Sequence, residues 1–99
     1  GSHGMAVVVV NNADFRGRGG EGRISACKKP GTDSQTWFCS TCGSPLPGIN
    51  DESCMFVPAG LITDGGDHLT VIHHIWVDSK APWDVIGEPG QEHANAIEP

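Results

Sequence analysis

The sequence predicts an all-β domain built of small, twisted antiparallel sheets. Three observations carry that reading. Its apolar runs (Val7-Val8-Val9-Val10, Trp37-Phe38, Ile75-Trp76-Val77) are short and rich in β-branched and aromatic residues, which are stiff at χ1 and pack well on a pleated surface. Glycine (14) and proline (7) are dense for 99 residues, tyrosine is absent, and only 18% of the chain is charged, a composition of many turns rather than of a helical bundle. No stretch carries an apolar stripe of helical period.

Taken in order, Gly1-Ser2-His3-Gly4 before Met5 reads as a tag remnant, so His3 is set aside as a ligand and residues 5–99 are read as a single domain. A chain of this size buries only about 60–65% of its unfolded surface and often needs a metal, disulfides or a partner. Residues 6–11 read as a strand whose unbroken valines want cover on both faces, or cover on one face from another chain. Asn12 to Phe15 reads as a turn, with Phe15 as a core anchor. Residues 17–22 form a glycine loop without the Lys and Ser/Thr of a phosphate cradle. Residues 23–27 and 35–39 read as strands flanking a Pro30-Gly31 turn.

Pro45, Pro47 and Gly48 break the next segment into a loop. Residues 54–58 are a strand, which 59–63 extend past a kink at Gly60. Asp64 to Asp67 form a solvated turn. Residues 69–77 read as a second strong strand, with Ile72, His74 and Trp76 on one face and Val71, His73, Ile75 and Val77 on the other. Trp76 and Trp83 read as core anchors, and the polar tail from Gly87 as loose.

The net charge of −6, with Arg16, Arg18 and Arg23 scattered among glycines, disfavours nucleic acid and anionic membrane as partners. The Met5–Val10 run is too short to span a bilayer and has no cationic flank, so the protein is read as cytoplasmic. In that compartment a Cys-x-x-Cys does metal or redox work rather than forming a structural disulfide. Cys39-Ser40-Thr41-Cys42-Gly43 is such a motif. A redox motif should open a helix, which Gly43-Ser44-Pro45-Leu46-Pro47-Gly48 cannot do. The glycine instead suits a metal knuckle, in which the bent backbone aims amide N–H groups at both sulfurs.

Zinc takes four ligands, and this knuckle offers Cys39 and Cys42 only. Cys27 and Cys54 are the recruits in the chain, with eleven residues between Cys27 and Cys39 and eleven between Cys42 and Cys54. Spacing permits them without selecting them, and a free cysteine also serves as a small hydrophobe. His68, His73 and His74 are further donors, although His73 and His74, adjacent in a strand, point to opposite faces. A second copy of the chain could also bring its own knuckle to the same ion.

Four blocks in order resemble the glutathione-dependent formaldehyde-activating enzyme family. Phe38-Cys39-Ser40-Thr41-Cys42-Gly43-Ser44-Pro45-Leu46 is similar to that family's second knuckle. Phe56-Val57-Pro58-Ala59-Gly60-Leu61-Ile62-Thr63-Asp64 is similar to its G-x-L strand, with one extra residue before the aspartate. His73-His74-Ile75-Trp76-Val77 with Ser79-Lys80-Ala81-Pro82-Trp83 resembles its C-terminal strand and A-P-W anchor. Val7 to Phe15 followed by glycines resembles its early strand.

The resemblance covers the C-terminal two-thirds of the family pattern and implies its β-tent fold, shared with a Rab exchange factor. It also implies a zinc-dependent carbon–sulfur lyase acting on S-hydroxymethylglutathione and similar thiol adducts. The family's Cys-x-Cys, which completes the structural zinc, and its Cys-His-Cys-x-x-Cys, associated with the catalytic zinc, do not occur in these 99 residues. By resemblance, Cys39 and Cys42 are half of a structural site, and no catalytic residue is assigned. Two readings follow. One is a module without catalysis, zinc-binding or structural, pairing through open strand edges at residues 7–10 or 73–77 as a homodimer. The other is a thiol-adduct lyase with a rebuilt zinc site and a small thiol ligand. The missing ligands weigh toward the first.

Overall fold

The computed structural model describes residues 4–87 and 89–97. Residues 1–3, within the segment read as a tag remnant, and residues 98–99 lie outside the described residues, so the reading of His3 does too. The chain divides into two compact units, one of Ala6–Thr63 and one in which the residues before Ala6 join those from Asp64 onward.

In the first unit, β1 (Val7–Asn11), β4 (Gly48–Ile49) and β5 (Cys54–Pro58) form a sheet ordered β1-β5-β4. Both pairings are antiparallel, with Val9 opposite Phe56, Asn11 opposite Cys54, and Gly48 opposite Phe56 on the other side. β5 therefore runs through the middle, and β1 presents a free edge. Within the chain only one face of the valine run is covered. Val8 and Val10 are half-buried, whereas Val7 and Val9 remain 40% and 51% exposed.

β2 (Ile24–Lys28) and β3 (Gln35–Cys39) form an antiparallel hairpin with Ile24 opposite Cys39 and Cys27 opposite Thr36. Gly31, at φ 77°, turns the connection. The other edge of β3 is used as well. Cys39 N donates to Ser44 O at 2.9 Å and Leu46 N to Trp37 O at 3.0 Å. That ladder carries the chain from the knuckle into β4, a strand hidden in the proline-broken loop. Trp37 meets Phe56 of the other sheet at 6.0 Å between ring centroids, tilted by 58°.

Asp51 organises the β4–β5 connection. Its Oδ1 accepts from Ser53 N at 2.8 Å, Cys54 N at 2.9 Å and Ser53 Oγ at 3.0 Å. Asn12 ties the end of β1 to the same turn, its N donating to Ser53 O at 2.9 Å and its Nδ2 to Glu52 O at 3.1 Å. The Asn12–Asp14 and Ala59–Leu61 segments are single 3₁₀ turns, so 59–63 turn away rather than extend β5.

The second unit differs more from expectation. The strand expected over 69–77 is reduced to β6 (His73–His74), paired in parallel with β7 (Gln91–Glu92) from the polar tail. Trp76 takes a left-handed backbone (φ 57°), which ends any strand there. Trp76 and Trp83 are 53% and 73% exposed, so neither is a core anchor. Apart from this parallel pair the sheets are small and antiparallel, and among the described residues no hydrophobic side chain is fully buried. Nor is any helix among them long and apolar enough to cross a membrane.

Candidate metal centre

The knuckle grows out of the end of β3. Cys39 is the last strand residue, and Gly43, at φ 78°, returns the chain so that its N–H donates to Cys39 O at 2.7 Å. A left-handed backbone of this kind costs a residue with a Cβ about 1–2 kcal/mol, hence the glycine. Ser40 N donates to Arg23 O at 2.7 Å, which fixes the turn to the start of β2.

Within this loop the backbone N–H of Cys42 and then that of Thr41 point at the Cys39 sulfur, and the Cys42 thiol adds to them. Together they hold the Cys39 thiol below its ordinary pKa. Cys39 is half-buried and Cys42 exposed, and both are free thiols. The loop therefore favours a thiolate at Cys39, the form in which sulfur binds metal or attacks an electrophile.

The recruits lie elsewhere. Cys27 sits opposite Thr36, three residues before Cys39 on β3. Three strand steps span about 10 Å and reverse the face, so Cys27 faces away from the knuckle side. Cys54 opens β5 opposite Asn11, with its Sγ 3.8 Å from Asn11 Oδ1 and 3.6 Å from Ser53 Oγ. Its thiol points into the end of the β1–β5 pair. Among the described residues no group of three or more His, Cys, Asp or Glu side chains gathers where it could hold a metal ion.

His73 and His74 diverge as strand neighbours should. His73 Nδ1 lies 3.0 Å from His93 Nε2, and His74 Nε2 lies 3.3 Å from Pro89 O. His93 had no local signal in the sequence. It reaches His73 only because the tail adds β7 beside β6.

Residues 1–79 match the family described as glutathione-dependent formaldehyde-activating enzyme. The chain belongs to this family. Comparison with curated proteins and with solved structures returned no match.

The family implies zinc, and the donor set tests that implication. The Cys39–Cys42 loop has what a metal knuckle needs: a bent backbone, two thiols, and N–H groups that favour the thiolate at Cys39. Two sulfurs make half of a tetrahedral structural site, and the described residues of this chain do not supply the other half. A catalytic zinc would need three further protein ligands and an open position, for which no donor set gathers either.

Proposed function

We propose that this member of the formaldehyde-activating enzyme family acts as a module without catalysis, in which Cys39 and Cys42 hold half of a structural zinc site. A second copy of the chain supplies the matching pair across a two-fold axis. The observation that carries the reading is the knuckle itself, formed and electrostatically prepared for thiolate at Cys39, with no further donors gathered beside it among the described residues. The free edge of β1, with Val7 and Val9 exposed on it, supports pairing of identical chains. Four free thiols suit a reducing, cytoplasmic setting. The net charge of −6 argues against nucleic acid and anionic membrane as partners.

The family match supports a second reading, a carbon–sulfur lyase handling a glutathione or similar thiol adduct on a rebuilt zinc site. One experiment separates the two. Zinc per chain is measured on protein purified without chelator, together with solution mass and lyase turnover. Half a zinc per chain retained after desalting, which removes readily exchanging ions, with a dimeric mass and no turnover, is the expected result. Turnover that falls with Cys42→Ala while the fold persists would establish the lyase instead.

A further inference from the structure

The parallel pairing of β6 with β7 places His73 opposite Gln91. His93, two residues further along, projects to the same face as His73. Backbone hydrogen bonds on both sides hold the arrangement. Gln91 N donates to Ile72 O at 2.9 Å, His93 N to His74 O at 2.8 Å, and Val77 N to His93 O at 3.0 Å. His73 Nδ1 and His93 Nε2 are thereby brought to 3.0 Å, with ring centroids 5.1 Å apart and planes inclined at 47°.

Between two neutral imidazoles such a contact is a single proton donated by one ring to the lone pair of the other. When the donor ring takes its other tautomer, with the proton moved to its outer nitrogen (Nε2 of His73 or Nδ1 of His93), both rings stay neutral and two nitrogen lone pairs face a common space. For a metal–nitrogen distance of about 2.0–2.1 Å, two nitrogens on a tetrahedral ion lie about 3.3 Å apart, and two adjacent nitrogens on a square or octahedral ion about 2.9 Å. The observed separation falls between these. The centroid separation also agrees, because two imidazoles on a tetrahedral ion have centroids about 5.2 Å apart. A cation could therefore replace the shared proton with only a small tilt of each ring.

We propose that His73 Nδ1 and His93 Nε2 form a two-imidazole site for a borderline divalent transition metal such as zinc or nickel, separate from the cysteine knuckle. Imidazole is a fitting donor for these ions and a poor one for magnesium or calcium. No third His, Cys, Asp or Glu side chain gathers there among the described residues, so water fills the remaining positions and the ion exchanges readily. His74 is excluded by its face, its Nε2 lying against Pro89 O.

The test is a zinc titration of the unaltered chain, read by the nitrogen and carbon NMR signals of each histidine ring and of each cysteine Cβ. These resolve the imidazole site from the thiols without any substitution. The expected result is that the His73 and His93 rings shift together and saturate while His74 stays in place. Magnesium at the same concentration should leave all three unmoved. His73→Ala and His93→Ala should each weaken the uptake by about tenfold or more, since even the loss of a group that merely orients a ligand costs ten- to a hundredfold. Unmoved His73 and His93 rings at saturating zinc, or movement of one without the other, would overturn the proposal.

Discussion

The indole of Trp37 lies directly against the backbone of Gly48. A Cβ built on Gly48 would clash with Cε3 and Cζ3 of that indole and lie 2.8 Å from Phe56 Cζ. Gly48 is one of the few buried residues, and this contact joins the β2–β3 hairpin to the β1-β5-β4 sheet. Gly48→Ala should therefore cost about 1–3 kcal/mol through overpacking. Gly60→Ala, where nothing lies within 4 Å of the added carbon, should change stability by no more than about 0.5 kcal/mol. Urea denaturation of the two variants checks the contrast, and equal losses would mean the Trp37 contact is not tight.

Cys39 should alkylate at a lower pH in the folded chain than in the unfolded one. The N–H groups of Cys42 and Thr41 lower its pKa only while the loop is formed, so its reaction with iodoacetamide should rise at a lower pH in native protein than in urea. Mass spectrometry of partly labelled protein reads the difference, and identical pH profiles would mean the loop does not stabilise the thiolate. The sign for stability follows from the same shift. A thiol whose pKa is lowered on folding stabilises the folded state above its unfolded pKa, and this contribution is lost as the pH falls through the folded value.

Asp51 behaves likewise among the carboxylates. The N–H of Ser53 leads, and the Ser53 hydroxyl, the Asn50 amide and the Cys54 N–H follow, in holding its carboxyl below the usual range. Its stabilising contribution is present above the ordinary carboxylate pKa and disappears as the pH falls through the depressed one. The stability gap between the native chain and Asp51→Ala should be widest near neutrality and close in acid. Thermal denaturation across that range measures it, and a gap independent of pH would assign the loss to packing instead.

Val9→Lys should separate the proposed dimer while leaving the monomer folded. Val9 is 51% exposed on the free strand β1, and a lysine on an edge strand discourages pairing. Light scattering should show the mass halved, with the far-ultraviolet circular dichroism unchanged. A mass that stays dimeric would move the interface off β1.

Much of the first unit was legible in the chain. β1, β2, β3 and β5 fall within a residue or so of the runs that predict them, because β-branched and aromatic clusters bounded by Gly and Pro are local signals. The knuckle was legible for the same reason: its two thiols and its glycine lie within five residues. β4 was not, because Gly48-Ile49 has no strand character of its own and is recruited by β5. Residues 69–77 mislead in the opposite sense. Their alternation is real, yet Trp76 turns left-handed and only two residues find a partner.

By itself the sequence determined the all-β class, the family, the position of the Cys39–Cys42 knuckle and the divergence of His73 from His74. Each depends on residue type and on spacing within a few positions. Only the tertiary structure decided that Cys27 and Cys54 stand apart from the knuckle, that Trp37 closes on Gly48, and that His93 meets His73. Those relations depend on strand register and on which distant segment fills an open edge. Register is set by the collective fit of many weak contacts, and no single residue carries a mark of it.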